Sequence, residues 1–452
     1  MRDMVCTVQR LQKIGKLTVL VRPKMSGEQK SAAKTVGFDA PKPDAASSPA
    51  LLPAGNSRGT NQAGVRLYNE RLILSLIRRH GTLPKVEIAR LTGLSAQATT
   101  VIVKRLEADG LLLKGEPQRG RVGQPTVPFS LNPGGAFSFG LKIGRKSSDL
   151  VLIDFCGKML ARISQPHAYP SPDVISSLVR EGIEIMLRDL EPREVERIAG
   201  FGIAAPFELW NWEAEAAAPR EIMDQWRGFD IQAHLQTLVP MPVYLCNDAT
   251  SACAAETFIG EGWHYSDFLY IFIGSFIGGG LVIGGNLFLG RTGNAGAIGP
   301  MPVAQIDDQG NLTHRQLIRS ASIFVLEQKM LGAGLNPSRL WRSPEDWGEI
   351  GPVLDEWIEA AAQDLALCIV SANAIVELES AIIDGAMPVN VRARIVERTR
   401  LAMEKCDLQG LTPLTLRAGS MGSNARAIGG AALPFLANFA RDREVLFKDT
   451  QV

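Results

Sequence analysis

Three apolar runs with helical spacing follow one another from residue 65 onward, and each stops at a glycine. The first run stops near Gly81, and the second has Pro84 in its first turn and ends at Gly93. Ser95 then suits the N-cap of a third helix, which closes at Gly110. Helices joined by a short turn with glycine make a helix-turn-helix. The pattern therefore restricts this part of the chain to a small helical domain.

A wing is predicted directly after the third helix. Leu111–Lys114 and Thr126–Leu131 are short β-prone runs on either side of the loop GEPQRGRVGQP. Helices and wing together make residues 61–130 a winged helix-turn-helix domain that is mainly α. Residues 1–60 are predicted to be a disordered or weakly ordered tail, because most of them are Ala, Pro, Ser, Gly and Lys without a sustained period. Residues 1–24 are more apolar, and either form a short helix or precede a start of translation at Met25.

The formal net charge of +1 hides a strong polarity along the chain. Residues 1–130 carry 21 Lys and Arg against 9 Asp and Glu, whereas residues 131–452 carry 27 against 38. A basic front on an acidic body indicates a polyanionic partner at one end only, and nucleic acid is the leading candidate. The six cysteines are scattered without a C-x-x-C pair, which argues against a disulfide framework or a zinc cluster and fits a cytoplasmic protein.

The third helix carries the candidate base-reading residues. Its spacing turns Thr99, Ile102 and Leu106 toward the core. Three polar side chains then face outward: Gln97, Thr100 and Lys104. Gln pairs with adenine, Thr contacts a thymine methyl group, and Lys suits a phosphate. The alternative is that these are ordinary solvated positions on a packed helix.

The wing loop adds a second candidate contact with DNA. Arg119 and Arg121, followed by Gly123 and Gln124, place two guanidinium groups on an extended strip. Such strips insert Arg into narrow minor grooves. A solvated hairpin turn is the alternative, but the neighbouring helix-turn-helix and the basic segment favour DNA contact.

Residues 131–452 form an α/β body of two successive halves, because strand, helix and glycine-turn signals alternate to the end. The stretch Phe268–Gly290 has 23 residues without a charge, which is long enough to span a bilayer. Seven of these residues are glycine, so two buried strands joined by a glycine turn are predicted instead, and no membrane association.

The chain resembles a transcriptional regulator of the ROK family (repressors, open reading frames and sugar kinases). The resemblance rests on NERLILSLIRRHGTLPKVEIARLTGLSAQATTVIVKRLEADGLL, RGRVGQP and SLNPGGAFSFGLKIG, and it covers residues 66–440. It implies a winged helix-turn-helix followed by a two-lobed α/β domain of the actin-like, ribonuclease-H-like type. It also implies that helix 95–109 reads the major groove and that Gly123-Gln124-Pro125 enters the minor groove, where many relatives carry Arg in place of Gln124.

The same resemblance allows the motifs of the ROK kinases to be checked. Lys142–Lys146 stands where those kinases have D-x-G-G-T, so the carboxylate is lost and three basic residues replace the loop. Gly274–Gly280 stands where they have G-T-G-x-G-G-G, with Phe276 in place of a glycine. Ala297–Pro300 stands where those kinases have the sugar-orienting E-I-G-H, with Ala in place of the Glu and Pro in place of the His. Gln305–Arg315 is predicted to be a polar loop. These departures predict a body without catalysis, cofactor or metal.

The kinase-base position is kept. Asn247 and Asp248 match the family's N-D motif, although Asp248 could equally cap the helix that follows. The predicted ligand contacts are Asn247, Asp248, Gly278, Gly279 and Asn294.

The leading hypothesis is a cytoplasmic regulator, by family default a repressor. It would bind double-stranded DNA as a homodimer or homotetramer and respond to a sugar or sugar derivative. One alternative is a sugar kinase with a DNA-binding head. Another alternative is a regulator that has lost its small-molecule ligand and responds only to a protein partner. Its partner surface would be an aromatic segment that includes Trp210, Trp212, Trp226 and Phe229, although the core of the lobe is the favoured interpretation of that segment.

Overall fold

The structure, a computed structural model of the chain, describes residues 18–20, 62–118, 126–207, 209, 218–306 and 309–441. Its strands are β1 (Thr18–Leu20), β2 (Thr82–Pro84), β3 (Leu112–Lys114), β4 (Pro128–Leu131), β5 (Phe137–Ile143), β6 (Ser147–Asp154), β7 (Met159–Pro166), β8 (Ile198–Ala205), β9 (Val243–Asn247), β10 (Phe268–Ile273), β11 (Ile277–Ile283), β12 (Asn286–Phe288), β13 (Pro302–Ile306), β14 (Leu312–Gln316), β15 (Ser380–Gly385) and β16 (Thr415–Ala418). Its α-helices are α1 (Gln62–His80), α2 (Lys85–Thr92), α3 (Ala96–Ala108), α4 (Pro172–Leu187), α5 (Pro192–Val195), α6 (Arg220–Met223), α7 (Ile231–Gln236), α8 (Asp248–Phe258), α9 (Ile318–Ala321), α10 (Ile323–Gly332), α11 (Arg339–Arg342), α12 (Pro352–Val376), α13 (Val389–Met403) and α14 (Ala425–Phe439). Within the predicted tail, the described residues are those of β1, which pairs antiparallel with β7.

The head, α1 to β4, is a winged helix-turn-helix. Its three strands pair antiparallel in the order β2-β4-β3, and α1, α2 and α3 pack on them around Ile77, Ile88, Leu106 and Phe129. An isolated bridge between Gln118 and Thr126 continues the β3–β4 hairpin toward the wing loop. The predicted fold of this segment is confirmed.

The body contains two lobes of the same topology. The first sheet has the order β1-β7-β6-β5-β8-β9 and the second the order β12-β11-β10-β15-β16. In each, the first long strand, β5 or β10, has two parallel strands on one side. On the other side two strands follow in antiparallel pairings, β6 and β7 or β11 and β12, and β1 adds a third strand to the first sheet. Each parallel pairing needs a crossover connection, which the helices between the strands supply. The two-halved α/β pattern is confirmed.

Helices α8 and α14 lie between the two sheets. α8 packs on β10 and β11, α14 packs on β5 and β8, and the two helices pack on each other. Their approach is close at Gly429, where a Cβ would stand 1.9 Å from the carbonyl oxygen of Ser251. This helix pair therefore holds the two lobes together through backbone contact that only glycine allows.

The charge-free stretch Phe268–Gly290 contains the two predicted strands, β10 and β11, and also a third strand, β12, that was not predicted. β10 and β11 pair antiparallel across a turn at Gly274–Phe276, and β10 is buried along its whole length. In the part of the chain that the structure describes, α12 is long and apolar enough to cross a membrane, but half of its most apolar window is buried in the second lobe. The predicted polar loop Gln305–Arg315 is wrong, because its flanks pair as the β13–β14 hairpin.

Candidate functional site

Helix α3 presents a polar face to solvent. The hydroxyl of Ser95 accepts a hydrogen bond from the Ala98 amide at 3.1 Å, so it caps the helix as predicted. Thr99, Ile102 and Leu106 are buried, as their spacing predicts. The three predicted base-reading and phosphate-contacting side chains then differ in exposure: Gln97 and Lys104 are exposed and Thr100 is half-buried.

One residue on this face was missed by the sequence reasoning. Val101 is 63% exposed, between Gln97 and Lys104 on α3. An apolar side chain on the outer face of a helix was the available signal. The neighbouring Arg105 lies 3.5 Å from a Glu70 oxygen, so its charge is partly balanced within the head.

The wing tip contains the remaining predicted DNA contacts. Arg119, Arg121, Gly123 and Gln124 lie outside the described residues, and the structure places only the hairpin stem beneath them. Their contact with DNA stays a prediction.

A cleft of about 790 Å³ separates the two lobes of the body. The predicted ligand contacts all line it: Asn247, Asp248, Gly278, Gly279 and Asn294. Much of the remaining wall is aromatic: Phe207, Trp226, Phe229, Phe272 and Phe276. The structure therefore brings together residues from β9, α8, β11 and the loop before β13, which are far apart in sequence.

The two described members of the predicted aromatic segment, Trp226 and Phe229, line this cleft. Trp226 is 4% exposed in the core of the first lobe, and its ring packs edge-to-face against the Phe229 ring, with 5.7 Å between the ring centroids. Trp210 and Trp212 lie outside the described residues.

The N-D motif is positioned by the start of α8. The side chain of Asn247 is the N-cap, and its oxygen accepts hydrogen bonds from the amides of Ala249 at 3.0 Å and Thr250 at 3.3 Å. Capping is therefore carried mainly by Asn247, whereas Asp248 is the first residue of the helix.

Both carboxylate oxygens of Asp248 already have partners. One accepts a hydrogen bond from the Ala249 amide at 3.0 Å, and the other lies 3.1 Å from Nη1 of Arg426 on α14. The Asp248 carboxylate is therefore engaged by both a backbone amide and a guanidinium.

Two of the three basic residues at the first phosphate-loop position, Lys142 and Arg145, are engaged in other contacts. Lys142 is buried and donates to Asp149 at 3.1 Å, and burial lowers the pKa of the Lys142 amine. Arg145 forms a buried ion pair with Glu327 of α10, and its guanidinium lies 5.3 Å from the Phe324 ring. Because Arg145 belongs to the first lobe and Glu327 to the second, the pair joins the lobes where the kinase motif would hold phosphate.

The second phosphate-loop position is a strand. Gly278–Gly280 pair with β10, and added Cβ atoms at Gly278 and Gly280 would stand 2.7 Å and 2.5 Å from the Cβ atoms of Ala249 and Cys253 on α8. These glycines are therefore required by the packing of α8 against β11. The same close approach accounts for the glycines at these two positions without requiring a phosphate contact.

Comparisons with known families give two matches along the chain. The family described as winged helix-turn-helix DNA-binding matches residues 66–112, and the ROK family matches residues 138–314.

Curated proteins give distant relatives over long alignments. The chain is 23% identical over 375 residues to uncharacterized protein y4fQ of Sinorhizobium fredii, which covers 82% of this chain and 91% of that protein. It is 21% identical to the xylose repressor of Bacillus subtilis, covering 54% of this chain and 62% of that protein. It is also 21% identical to the DNA-binding transcriptional dual regulator NagC of Escherichia coli, covering 62% and 69%. The match therefore spans somewhat less than two thirds of the xylose repressor.

Solved structures share the fold. A ROK family transcriptional regulator, homolog of the E. coli MLC protein, superposes with a TM-score of 0.58 at 18% identity over 83% of this chain and 97% of that one. A ROK family glucokinase from Streptomyces griseus superposes with a TM-score of 0.52 at 18% identity over 66% and 99%. The regulator's alignment is long enough to include the head as well as the body. The chain therefore contains a ROK domain and, N-terminal to it, a winged helix-turn-helix domain.

Proposed function

We propose that this chain is a sequence-specific, DNA-binding transcriptional repressor controlled by a sugar-like effector in the interlobe cleft. In this proposal residues 61–130 bind double-stranded DNA, residues 131–452 sense the effector and assemble the subunits, residues 1–60 are a tail, and the protein acts in the cytoplasm. The observation that carries the proposal is α3, a capped helix with an open polar face in a winged helix-turn-helix. The regulators named among the relatives support it.

The DNA contacts follow from the face of α3. Gln97 pairs with adenine and Lys104 with a phosphate, while Thr100 and Val101 contact thymine methyl groups. The wing supplies a minor-groove contact through Arg119 and Arg121, with Gly123 and Gln124 at its tip. A homodimer or homotetramer on a palindromic site places two such heads one or more helical turns apart.

The body senses rather than catalyses in this proposal. The Asp248 carboxylate is balanced by Arg426, and Arg145 is paired with Glu327 at the phosphate-loop position. A sugar kinase needs a free proton acceptor and a backbone cradle for the nucleotide phosphates. Ligand binding then changes lobe closure or subunit packing and so the spacing of the heads.

DNA binding is tested on a site selected from random duplexes, by fluorescence anisotropy at several salt concentrations. Lys104→Ala and Arg121→Ala should each weaken binding and reduce the slope of log K against log salt by about 0.9, the value for one phosphate contact. Lys405→Ala, an exposed lysine of the body, is the matched control and should leave the slope unchanged. Unchanged slopes in both head variants would refute the contact assignment.

Effector binding is tested by thermal melting of the full chain with sugars, sugar phosphates and polyols. A ligand at 100 times its dissociation constant adds about 2.7 kcal/mol of stability. The shift should disappear in Asp248→Ala, which removes a cleft carboxylate, and persist in Asp173→Ala on the first turn of α4. A panel without any shift would refute the assignment of a sugar-like effector.

A further inference from the structure

A second cavity, of about 230 Å³, lies at the seam between the head and the body. Helix α1 forms one wall with Leu72, Ser75 and Arg79. The end of α8, the β11–β12 turn and the end of α14 form the other, with Trp263 beside them. None of the described residues that line this cavity is acidic, although several are arginines.

Two arginines of α1 fasten the head to the body. Arg71 donates to the Ala437 carbonyl of α14 at 3.0 Å. Arg78 donates to the Phe155 carbonyl at 2.8 Å, and its guanidinium lies 4.0 Å from the Phe258 ring at the end of α8. Burial lowers the pKa of Arg78 to about 10, against the opposing effects of Cys156 and Asp154, and the cation contacts a carbonyl and aromatic rings. The head is therefore anchored on α8 and α14.

Arg79 is different from these two. Among the described residues it has no hydrogen bond and no ion pair, and its charged neighbour is the guanidinium of Arg441 across the seam. Burial and the Arg441 charge both lower the pKa of Arg79. Arg441 itself donates to the Gly284 carbonyl at 3.3 Å and meets no carboxylate in the described part of the chain.

The two guanidinium groups converge on one point. A Cβ built on Gly285 would stand 3.7 Å from Nη2 of Arg79 and 3.9 Å from Nη2 of Arg441. Phosphate and carboxylate oxygens accept charge-assisted hydrogen bonds of about 2.8 Å, so a single oxyanion can bridge two guanidinium groups at this spacing. Two cations that face each other without an anion repel, and a bound anion removes that repulsion.

We propose that the cavity between α1 and the β11–β12 turn is a binding site for a small oxyanion, inorganic phosphate or a phosphate monoester, held between Arg79 of the head and Arg441 of the body. The anion links the two domains and stiffens their junction. The site lies apart from the interlobe cleft and from α3, so it depends neither on the effector nor on DNA contact.

The test is thermal melting and isothermal titration calorimetry of the full chain without DNA. Phosphate, a hexose monophosphate and chloride are compared at equal ionic strength. We expect saturable binding and a raised melting temperature with phosphate or the monoester but not with chloride. A tighter monoester would identify a phosphorylated metabolite as the ligand, and equal or tighter phosphate would identify the free anion.

Variants separate this site from a structural role of the same residues. Arg79→Gln and Arg441→Gln should each abolish the phosphate response, Arg79→Lys should keep part of it, and Arg180→Gln on the exposed face of α4 should change nothing. Without phosphate, Arg79→Gln should melt no lower than the original chain, because it relieves a repulsion. A phosphate response that survives both Gln variants, or no saturable response in the original chain, would overturn the proposal. So would an Arg79→Gln variant that loses DNA affinity while the original chain shows no phosphate binding.

Discussion

The ion pair between Arg145 and Glu327 makes a quantitative prediction about the lobes. The two residues are 5% and 7% exposed, so removing one partner leaves a charge in the interior. Breaking a buried pair in this way costs about 3–5 kcal/mol. Glu327→Gln, which keeps the side-chain shape but removes the charge, should therefore lower the unfolding free energy by about that amount. For a unit the size of residues 131–452, this corresponds to a fall of about 4–7 °C in melting temperature.

The assay is equilibrium urea unfolding combined with thermal melting, and a double-mutant cycle compares Arg145→Met, Glu327→Leu and the two together. Arg145→Met combined with Glu327→Leu should recover at least half of the loss, because apolar residues of similar volume replace a buried pair at little cost. Glu184→Gln breaks an exposed pair with Arg188 and should cost less than about 1 kcal/mol. A loss below about 1 kcal/mol for Glu327→Gln, or strictly additive single losses, would refute the reasoning.

Three further predictions concern the helix contact, the cap of α3 and the acid response. Gly429→Ala should lower the unfolding free energy, measured by urea titration, by about 3 kcal/mol or more, because the added Cβ would meet the Ser251 oxygen. Gly332→Ala is the control, because a Cβ there would stand in open space, and it should be neutral or stabilising. Ser95→Ala should lower the stability of the head by about 1 kcal/mol, measured by thermal melting, because the cap of α3 is lost. Ser95→Asn should keep most of that stability, since Asn also caps helices. Equal losses in the two variants would contradict the capping argument. Burial lowers the pKa of His167 from 6.5 to about 4, so its contribution to stability is present above pH 6.5 and is lost as pH falls toward 4. His167→Gln should flatten the dependence of unfolding free energy on pH in that window, and an unchanged slope would count against it.

Local signals predicted the head well. The cap at Ser95, the burial of Ile102 and Leu106, and the glycine ends of α2 and α3 depend on contacts within a few residues, which spacing in the sequence reports directly. The same reasoning failed at Gln305–Arg315, because β13 and β14 are too short and polar to show alternation. Their hairpin is stabilised by pairing and by the lobe beneath it.

The functional interpretation of the body required more than motif comparison. The motif at Asn247 and Asp248 indicated a site but did not show what each residue does. Asn247 caps the helix, whereas Asp248 forms an ion pair with Arg426, which lies 178 positions away in the sequence. Gly278–Gly280 resembled a phosphate loop, yet Gly278 and Gly280 are the positions at which α8 approaches β11 closely. Compact packing produces the same glycine pattern as a phosphate cradle, so the sequence could not separate the two.

The sequence by itself determined the order of the two domains, the helical spacing of the head, the basic head on an acidic body, and the residues that α3 exposes. These properties follow from local spacing, capping and composition. The tertiary structure decided which charges are paired, as in Arg145 with Glu327 across 182 positions, and where two arginines meet at the seam with no carboxylate among the described residues beside them. The reason is physical: a charge's partner and a cavity's lining are set by how distant segments fold together, and the residues that meet carry no local signal of it.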